Sequence, residues 1–571
     1  MTSKGLQTGY QIIINTLTEW GITLYCGVTG GGVVHFLKHI PPYDPQSSDA
    51  PGFMSLGEYS AGFVPLGHFL STGRMAAAVA TTGAATKLLA CGLSDAKLHD
   101  IPAVFIVPLS GLNTLGFSPL QDTSAHGSNV VAQLRNELPE GVFVLDDPST
   151  LARQLLAAHH QLLNAKPVVL VLLHEALKTP VHLPAVRSYA LPEYGKNDIQ
   201  NFVTEFRDAV KGKRLVVLVG EEMARYADAK TLTTQLGTAL HAATIWSING
   251  ANAVERNNAY GYGYISFGGN DEATALFNAL GDEDVLLVLG ACPDEYTVNL
   301  QPFNASHTFY LSHIADAYGQ IEHSFHHLAR GKYSHVFGQL DELVSTLIST
   351  AETDAFASIH AKPAPKNLNH RPFATPRDDY VDMAELYQHL DKIWPEEAIG
   401  FDDVCLAYKD RQYVTQRPSN QIDFFSLYRG SAMGGAFGLA IGAKIAAPES
   451  PVFVFTGDGC FRLFSGSLGE ARNLGLIIFL LNNASFSIVS QGLPGIIPDT
   501  PESHYHAPVF PLDYCAIARA CGWEAEKLAP DLSNLEALLN RSTRSDAPSL
   551  LIEVPADAMQ ILGHNPRANN L

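Results

Sequence analysis

The chain has 571 residues, which is too long for one hydrophobic core and, at roughly 100–200 residues per domain, predicts three or four domains. Apolar residues make up 46% of the sequence and charged residues 16%, which excludes a disordered chain and a coiled coil. A formal net charge of -20 repels a phosphate backbone and argues against general nucleic-acid binding.

The sequence offers no signal for a disulfide framework or a membrane segment. Its 7 cysteines include no CxxC pair, which argues against a zinc site and against a secreted disulfide scaffold. No charged leader precedes a cleavable apolar segment, and no apolar run approaches the roughly 20 residues of a membrane span. We therefore expect a soluble, cytoplasmic protein with neither a membrane nor a nucleic acid as partner.

Strand-like runs alternate with helical patterns along the whole chain. After a helical pattern over 9–20, the predicted strands are 23–26, 76–80, 103–107, 167–173, Arg214–Val219, Asp284–Leu289, 452–456 and 476–481. Such alternation is typical of βαβ units on parallel sheets. The predicted fold class is α/β, with three consecutive parallel-sheet domains at 1–188, 195–352 and 378–571. The Ala- and Pro-rich stretch 351–377 is interpreted as the linker before the third.

The most informative motif follows the strand at 452–456. That strand ends in Gly457-Asp458-Gly459, and the next strand ends in Asn482-Asn483. The carboxyl ends of parallel strands are where open α/β sheets bind ligands, and glycines there let backbone N–H groups approach a phosphate. Carboxylate and amide oxygens suit Mg²⁺, which also relies on phosphates of its ligand. Two capped turns are the alternative interpretation of the pattern.

The motif GDG, followed after 22 residues by NN, resembles the cofactor motif of the thiamine-diphosphate enzymes related to acetohydroxyacid synthase and pyruvate decarboxylase. The resemblance extends over almost the whole chain. It implies pyrimidine-binding, middle and diphosphate-binding domains in that order, with thiamine diphosphate and Mg²⁺ as cofactors. It assigns the metal to Asp458, Asn483 and the backbone carbonyl of Ser485. The residues it places around the cofactor are Gly457, Asp458, Gly459, Cys460, Asn483 and Ile488.

Two further residues match the family outside that motif. Glu58, in MSLGEYSAG, matches the glutamate that hydrogen-bonds N1' of the aminopyrimidine ring and promotes loss of the thiazolium C2 proton. Met433, in YRGSAMGG, matches the bulky residue that supports the bent cofactor, although a core-filling role is the alternative. In the family, the counterparts of Glu58 and Asp458 come from different subunits, which implies a homodimer or a homotetramer.

The residues at the proton-donor positions of the decarboxylases indicate that the chain is more similar to the synthases of this family. Gly31 and Val489 stand at two acidic positions of pyruvate decarboxylase, whereas Gln121 matches a glutamine of the synthases. Without a ready acid, attack on a second carbonyl is favoured over protonation, so we predict decarboxylation of a 2-oxo acid followed by carboligation. Gly492 replaces a tryptophan of the synthase, which suggests a bulky acceptor.

Several alternatives stay open at this point. One is a 2-oxo acid decarboxylase that releases an aldehyde, and another is a non-catalytic regulatory paralogue. A dehydrogenase is a weak third alternative, because no GxGxxG opens a helix after a first strand. Four histidines are candidate proton donors: His35, His126, His504 and His506. The acids of Val219-Gly220-Glu221-Glu222 make a poor phosphate site, so we expect no flavin in the middle domain.

Overall fold

A computed structural model gives the fold, and it describes residues 6–570 apart from 48, 115, 183–195, 315–316, 319–324, 354 and 543–546. The described residues form three six-stranded parallel sheets with helices around them, together with one antiparallel pair of two-residue strands. This confirms the predicted α/β class. Each sheet lies inside one predicted domain range, while the predicted boundary at 188–195 falls outside the described residues.

The first sheet has the strand order β3-β2-β4-β5-β7-β6. Its strands are β2 (Leu24–Gly27), β3 (Gly52–Ser55), β4 (Ala77–Val79), β5 (Val104–Pro108), β6 (Val142–Leu145) and β7 (Val168–Leu172), and the antiparallel pair is β1 (Gln7–Thr8) with β8 (Pro180–Val181). The helices are α1 (Gly9–Glu19), α2 (Val34–Leu37), α3 (Glu58–Ala61), α4 (Val64–Thr72), α5 (Ala84–Leu98), α6 (Val130–Glu137), α7 (Leu151–Leu163) and α8 (His174–Leu177). The predicted helix at 9–20 is confirmed, and Thr8 and Gln11 form a capping box at its start.

The second sheet has the order β11-β10-β9-β12-β13-β14. Its strands are β9 (Arg214–Val219), β10 (Ala243–Trp246), β11 (Gly261–Tyr264), β12 (Asp284–Leu289), β13 (His307–Ser312) and β14 (Lys332–Phe337). The helices are α9 (Lys196–Val210), α10 (Ala229–Ala239), α11 (Asp271–Asn278), α12 (Glu295–Val298), α13 (Phe325–Leu328) and α14 (Leu340–Thr353). Both strands predicted here are confirmed to the residue.

The third sheet has the order β16-β15-β17-β18-β20-β19. Its strands are β15 (Ala398–Asp402), β16 (Ile422–Phe425), β17 (Val452–Gly457), β18 (Leu476–Asn482), β19 (Glu524–Lys527) and β20 (Leu550–Pro555). The helices are α15 (Met383–Ile393), α16 (Ala407–Thr415), α17 (Gly435–Ala446), α18 (Asp458–Phe461), α19 (Ser487–Ile496), α20 (Tyr514–Ala520) and α21 (Leu535–Ser542). The apolar residues of β17 and β18 are buried, as continuous apolar strands of parallel sheets are.

The segment predicted as a linker packs against the middle domain. Ile359 bridges Arg214 at the start of β9, and the Ala361 N–H donates to the carbonyl of His241 at 2.8 Å. Leu368 and Asn369 are buried. The segment therefore connects two domains without being a free tether.

By their contacts, the described residues fall into two compact units. The first joins the described residues before 193 to 429–450 and 464–476, and the second contains the rest of the described chain. Glu58, Gln121 and Met433 belong to the first unit. The predicted metal ligands belong to the second.

In the first unit, α4 and α17 approach so closely that glycine is required where they cross. A Cβ on Gly442 would lie 2.0 Å from the carbonyl oxygen of Val64, and one on Gly67 would lie 1.9 Å from that of Leu439. These neighbours are backbone atoms, which cannot move aside as a flexible side chain can. The crossing therefore excludes even a methyl group.

We expect Gly442→Ala to lower the free energy of unfolding by about 3 kcal/mol, because overpacking against backbone strains both helices. Urea denaturation of the variant and of the unchanged protein measures the difference. Gly466→Ala is the matched control, since a Cβ there meets no atom within 4 Å. An equal effect of the two substitutions would contradict the close crossing.

Candidate functional site

The third sheet places the GDG turn at a topological switch point. From β15 the chain continues to β16 on one side, whereas from β17 it continues to β18 on the other. The crevice beyond the carboxyl ends of β15 and β17 is where such sheets bind ligands. β15 ends at Asp402 and β17 at Gly457. The sequence thus brings the Asp402-Asp403 loop and the GDG turn to one edge.

Asp458, in the GDG turn at this edge, is buried, with 1% of its surface exposed. The Gly459 N–H donates to its Oδ1 at 2.9 Å, and the Ala484 N–H donates to its Oδ2 at 2.7 Å. Burial raises the pKa of Asp458 to about 6, against the lowering effect of these two hydrogen bonds. Two backbone donors therefore fix the orientation of the carboxylate, whose charged form a cation would stabilise.

The two asparagines after β18 have different surroundings. The Asn482 side chain donates to Glu553 Oε1 at 2.9 Å, toward β20. The Asn483 Oδ1 accepts from the Ser485 N–H at 3.1 Å and so stays with the loop that contacts Asp458. Of the pair, Asn483 is therefore the one available to a ligand at this edge.

A second segment holds the loop of Asn483 in place. Ser485 pairs with Pro508 in an isolated bridge, the Phe486 N–H donates to the carbonyl of Ala507, and the Val509 N–H donates to that of Ala484. Ala484 has a φ of 52°, so the chain turns sharply beside Asp458. The carbonyl of Ser485 accepts from the Ser487 N–H at 2.9 Å and can accept more than one contact.

These groups offer oxygen ligands of the type that Mg²⁺ prefers. A carboxylate, an amide oxygen and a backbone carbonyl lie within one short loop and turn. Among the described residues, no three His, Cys, Asp or Glu side chains form a cluster that could hold a metal ion. A cation at this edge would therefore rely on one carboxylate together with neutral oxygens and its ligand's phosphates.

The acids of the Asp402-Asp403 loop are occupied by internal partners. Asp402 forms a buried ion pair with Arg411, and Asp403 Oδ2 accepts from the Thr456 hydroxyl at 2.7 Å. Cys460 is buried, and its thiol donates to the carbonyl of Val404 at 3.2 Å. The loop is thus tied to the GDG turn at two points, and neither Asp side chain is left to repel a diphosphate freely.

Ile488 lies at the start of α19 and packs against an aromatic cluster. That cluster contains Phe267, Tyr296, Tyr408 and Tyr428 together with Ile248, and Val404 packs against it as well. Ile488, which is predicted to lie near the cofactor, and Val404 in the loop after β15 therefore pack against the same cluster.

In the first unit, Glu58 begins α3 directly after β3 and Gly57. Its carboxylate is half-buried, and no described residue donates a hydrogen bond to it or pairs with it. Partial burial without a partner suits a group that binds a ligand.

Met433 lies between two residues of left-handed backbone, Ser431 with φ 50° and Gly434 with φ 83°. The neighbour of Glu58, Tyr59, donates a hydrogen bond from its hydroxyl to the Met433 carbonyl. The structure therefore brings Met433 near the start of α3 within this unit.

Gln121 lies in the loop after β5 and also has a left-handed backbone, with φ 57°. Its Oε1 accepts from the Thr82 hydroxyl at 2.7 Å, and its carbonyl accepts from the Ser110 hydroxyl at 3.2 Å. These bonds place Gln121 beside the Thr82-Gly83 turn.

Of the four candidate histidines, His35 has the most defined surroundings. Its ring stacks on His174 with centroids 3.8 Å apart, and His174 Nδ1 contacts the Tyr10 hydroxyl at 3.0 Å. His126 and His504 are exposed. Nothing in these contacts adds a catalytic role for them.

The C-terminal tail, residues 558–570, packs along α19. The Gln491 side chain donates to the Ala558 carbonyl at 3.0 Å, and a Cβ on Gly492 would lie 3.7 Å from Asn565 Nδ2. Arg567 pairs with Glu295 at 2.8 Å. The space left by the small Gly492 is thus bordered by the tail.

Buried charged side chains anchor this tail, and they were not predicted from the sequence. The Lys409 ammonium, 2% exposed as a residue, contacts Asp410 and donates to the carbonyl of Gly563 at 2.9 Å. The Gly563 N–H donates to Asp410 Oδ1 at 2.8 Å. A charged run on a helix is typical of a solvated face, so no local signal could have identified it.

Comparisons with known proteins agree with this arrangement. Residues 7–128 match the family described as "Thiamine pyrophosphate enzyme, N-terminal TPP binding domain", and residues 407–553 match "Thiamine pyrophosphate enzyme, C-terminal TPP binding domain". The acetolactate synthase large subunit of Mycobacterium tuberculosis is 24% identical over 511 residues, covering 85% of this chain and 77% of the relative.

Two further comparisons cover nearly the whole chain. The acetolactate synthase isozyme 2 large subunit of Escherichia coli K12 is 22% identical, covering 95% of this chain and 94% of the relative. A solved structure of the Rhodococcus jostii RHA1 thiamine diphosphate-dependent 4-hydroxybenzoylformate decarboxylase covers 96% of this chain and 99% of its own, with TM-score 0.73 and 17% identity. That likeness shows the shared fold.

The three parallel sheets and the two matched domains define an α/β enzyme of the kind that binds thiamine diphosphate. The chain belongs to the thiamine-diphosphate-dependent enzymes. Its cofactor is thiamine diphosphate, with Mg²⁺ as the standard partner metal of the family. The oxygen donors around Asp458 fit that metal. The alternative of a non-catalytic paralogue is set aside, and so is the dehydrogenase. No helix among the described residues is long and apolar enough to cross a membrane.

The middle domain carries a buried acid at its own switch point, between β9 and β12. Glu222 is 0% exposed, accepts from the Ser312 hydroxyl at 2.6 Å and lies 2.7 Å from His313 Nδ1. Burial alone would raise the pKa of Glu222, but the hydrogen bonds from His313 and Ser312 outweigh it and lower the pKa. The acid is thus held charged by its neighbours, and the expectation of no flavin stays a prediction.

We expect Glu222→Gln to destabilise the protein by about 3 kcal/mol at pH 7, because it breaks a buried pair. A lowered carboxyl pKa stabilises the fold above the unfolded value of about 4.3, and this stability is lost as the pH falls through the folded pKa. The difference in free energy of unfolding between Glu222→Gln and the unchanged protein, measured by urea denaturation, should therefore become smaller below about pH 4. Glu272→Gln, in the exposed pair with His370, is the control and should cost well under 1 kcal/mol.

Proposed function

We propose that the protein removes CO₂ from a 2-oxo acid and joins the remaining acyl unit to a second carbonyl compound. When bound, thiamine diphosphate supplies the electron sink for this decarboxylation. Asp458, Asn483 and the Ser485 carbonyl would hold the divalent cation that accompanies the cofactor. Glu58 would accept a hydrogen bond from the aminopyrimidine ring, and Met433 would support that ring.

Carboligation is favoured over simple decarboxylation because no acidic residue stands at the positions that match the proton donors of pyruvate decarboxylase. Val489, which stands where pyruvate decarboxylase has a glutamate, is an apolar side chain with 50% of its surface exposed. Gly31 offers no acidic group, and a Cβ on it would meet no atom within 4 Å. Gln121 is uncharged and cannot deliver a proton as a carboxylic acid does. A site without a ready acid lets the acyl unit reach a second carbonyl before protonation.

The assembly follows from the same proposal. The resemblance implies that one cofactor contacts Glu58 of one subunit and Asp458 of another, so a homodimer would be the smallest active unit and a homotetramer is also compatible. Sedimentation of the loaded protein measures this state, and an active monomer would contradict the shared site.

Product analysis tests the reaction itself. The protein, loaded with thiamine diphosphate and Mg²⁺, is supplied with a 2-oxo acid, with and without an acceptor aldehyde, and CO₂ and organic products are counted. We expect a 2-hydroxy ketone or 2-hydroxy acid product in proportion to CO₂. Free aldehyde in that proportion, whether or not an acceptor is present, would instead establish simple decarboxylation.

A further inference from the structure

A cavity of about 210 Å³ lies between α5 and α6 in the first unit. This far exceeds the roughly 10–15 Å³ that one water molecule needs. The exposed side chains of Lys87 on α5 and Gln133 on α6 both line it, and Gly83 lines the end where α5 begins. The cavity is therefore large enough for several atoms of an organic ligand.

The end at Gly83 adjoins a residue of the proposed reaction site. A Cβ on Gly83 would lie 3.0 Å from the Cγ of Gln121 and 3.1 Å from its Nε2. The backbone of Gly83 has φ 83°, which brings the turn against that side chain. A ligand in the cavity can thus extend toward Gln121.

The wall near this end is electropositive. The Lys87 ammonium donates to the neutral Gln133 Oε1 at 2.7 Å, and no carboxylate of the described residues lies within 4 Å of it. The Ser128 hydroxyl, which lines the same cavity, has no hydrogen-bond partner among the described residues. One uncompensated cation and one free hydroxyl suit an anionic group with a single charge.

Two helices begin at this cavity, which adds to its positive potential. Neither Gly83 before α5 nor Asn129 before α6 caps its helix through a side chain. The first N–H groups of both helices are therefore left to other acceptors, at the positive ends of the helix dipoles. The one acid in the lining, Glu137, lies at the other end of α6 and accepts from the Ser94 hydroxyl.

We propose that this cavity binds the distal carboxylate of a dicarboxylic oxo acid whose carbonyl end reaches Gln121. Lys87 is the residue that would select such a substrate over a monocarboxylic one. A single lysine matches one negative charge better than the two of a phosphate. This assignment rests on the function proposed above, because it names the class of that reaction's substrate.

Glutarate, which has two carboxylates and no reactive carbonyl, probes the cavity without turnover. We expect calorimetry on the loaded protein to show glutarate binding, at least tenfold weaker in Lys87→Met. Lys178→Met is the control in the same unit, since Lys178 is exposed and does not line the cavity, and it should bind as the unchanged protein does. In turnover, Lys87→Met should lower kcat/KM for 2-oxoglutarate relative to 2-oxopentanoate at least tenfold.

Each outcome of this experiment decides the proposal. Glutarate binding that is absent, or equal in the protein and Lys87→Met, overturns it, as does sulfate binding through Lys87 as tightly as glutarate. If Lys87-dependent glutarate binding is found but no 2-oxo acid is turned over, the carboxylate site stands and the proposed reaction fails. If 2-oxo acids are turned over but glutarate binding does not depend on Lys87, the proposed reaction stands and the carboxylate site fails.

Discussion

Glu58→Gln should bind thiamine diphosphate with Mg²⁺ as the unchanged protein does and lose turnover by about 10²- to 10⁴-fold, the range of general acid–base contributions. The expected reason is the half-buried carboxylate at the start of α3, which has no partner among the described residues and is proposed to contact the aminopyrimidine ring. Glutamine keeps the size of the side chain but cannot accept a proton. Initial rates and cofactor affinity are the two measurements.

A matched control separates this effect from a general disturbance of the first domain. Glu19→Gln, at the exposed end of α1, should leave both rate and affinity unchanged. Full activity in Glu58→Gln would contradict the role assigned to this carboxylate. Loss of folding would be seen as a lowered midpoint in urea.

The second large effect is expected from the asparagine pair after β18. Asn483→Ala should raise the Mg²⁺ concentration needed for half-maximal activity at least tenfold, because it removes one of the proposed ligands. Asn482→Ala should leave that concentration unchanged, since its side chain contacts Glu553 in β20. It should instead cost about 1 kcal/mol of stability through the lost hydrogen bond.

Asn482 and Asn483 serve as controls for each other. The two residues have the same side chain and adjacent positions, and only their contacts differ: Glu553 for Asn482 and the Ser485 N–H for Asn483. A Mg²⁺ requirement raised by Asn482→Ala and unaffected by Asn483→Ala would exchange the two assignments. Activity against Mg²⁺ concentration, followed from metal-free protein, gives the answer.

Eight of the eighteen strands in the three described sheets were predicted from the sequence, because these eight are continuous runs of apolar or small residues. Arg214–Val219 and Asp284–Leu289 end where the chain turns at a glycine, so their limits are visible in the sequence. The GDG turn could be placed for the same reason, since it terminates such a run. Other fully buried strands, such as β13 and β20, were not predicted, because polar residues or a proline interrupt their apolar runs.

The rest depended on contacts between distant parts of the chain. Lys409 and Asp410 are buried because Gly563, more than 150 residues later, supplies a carbonyl and an N–H to them. The Ala- and Pro-rich segment near Ile359 is ordered by a bridge to β9. Hydrophobic periodicity does not reveal contacts with distant residues. For this reason the packing of the tail and of the linker could not be predicted from the sequence.

Calorimetric titration of metal-free protein with thiamine diphosphate, with and without Mg²⁺, tests the proposed cation site most directly. Asp458 is the only carboxylate in the proposed ligand set, so binding should be tight with Mg²⁺ and at least a hundredfold weaker without it. Glu58→Gln should give the same isotherm as the unchanged protein. Binding that is absent from folded protein, or equally tight without the metal, would contradict the cation site at the GDG turn.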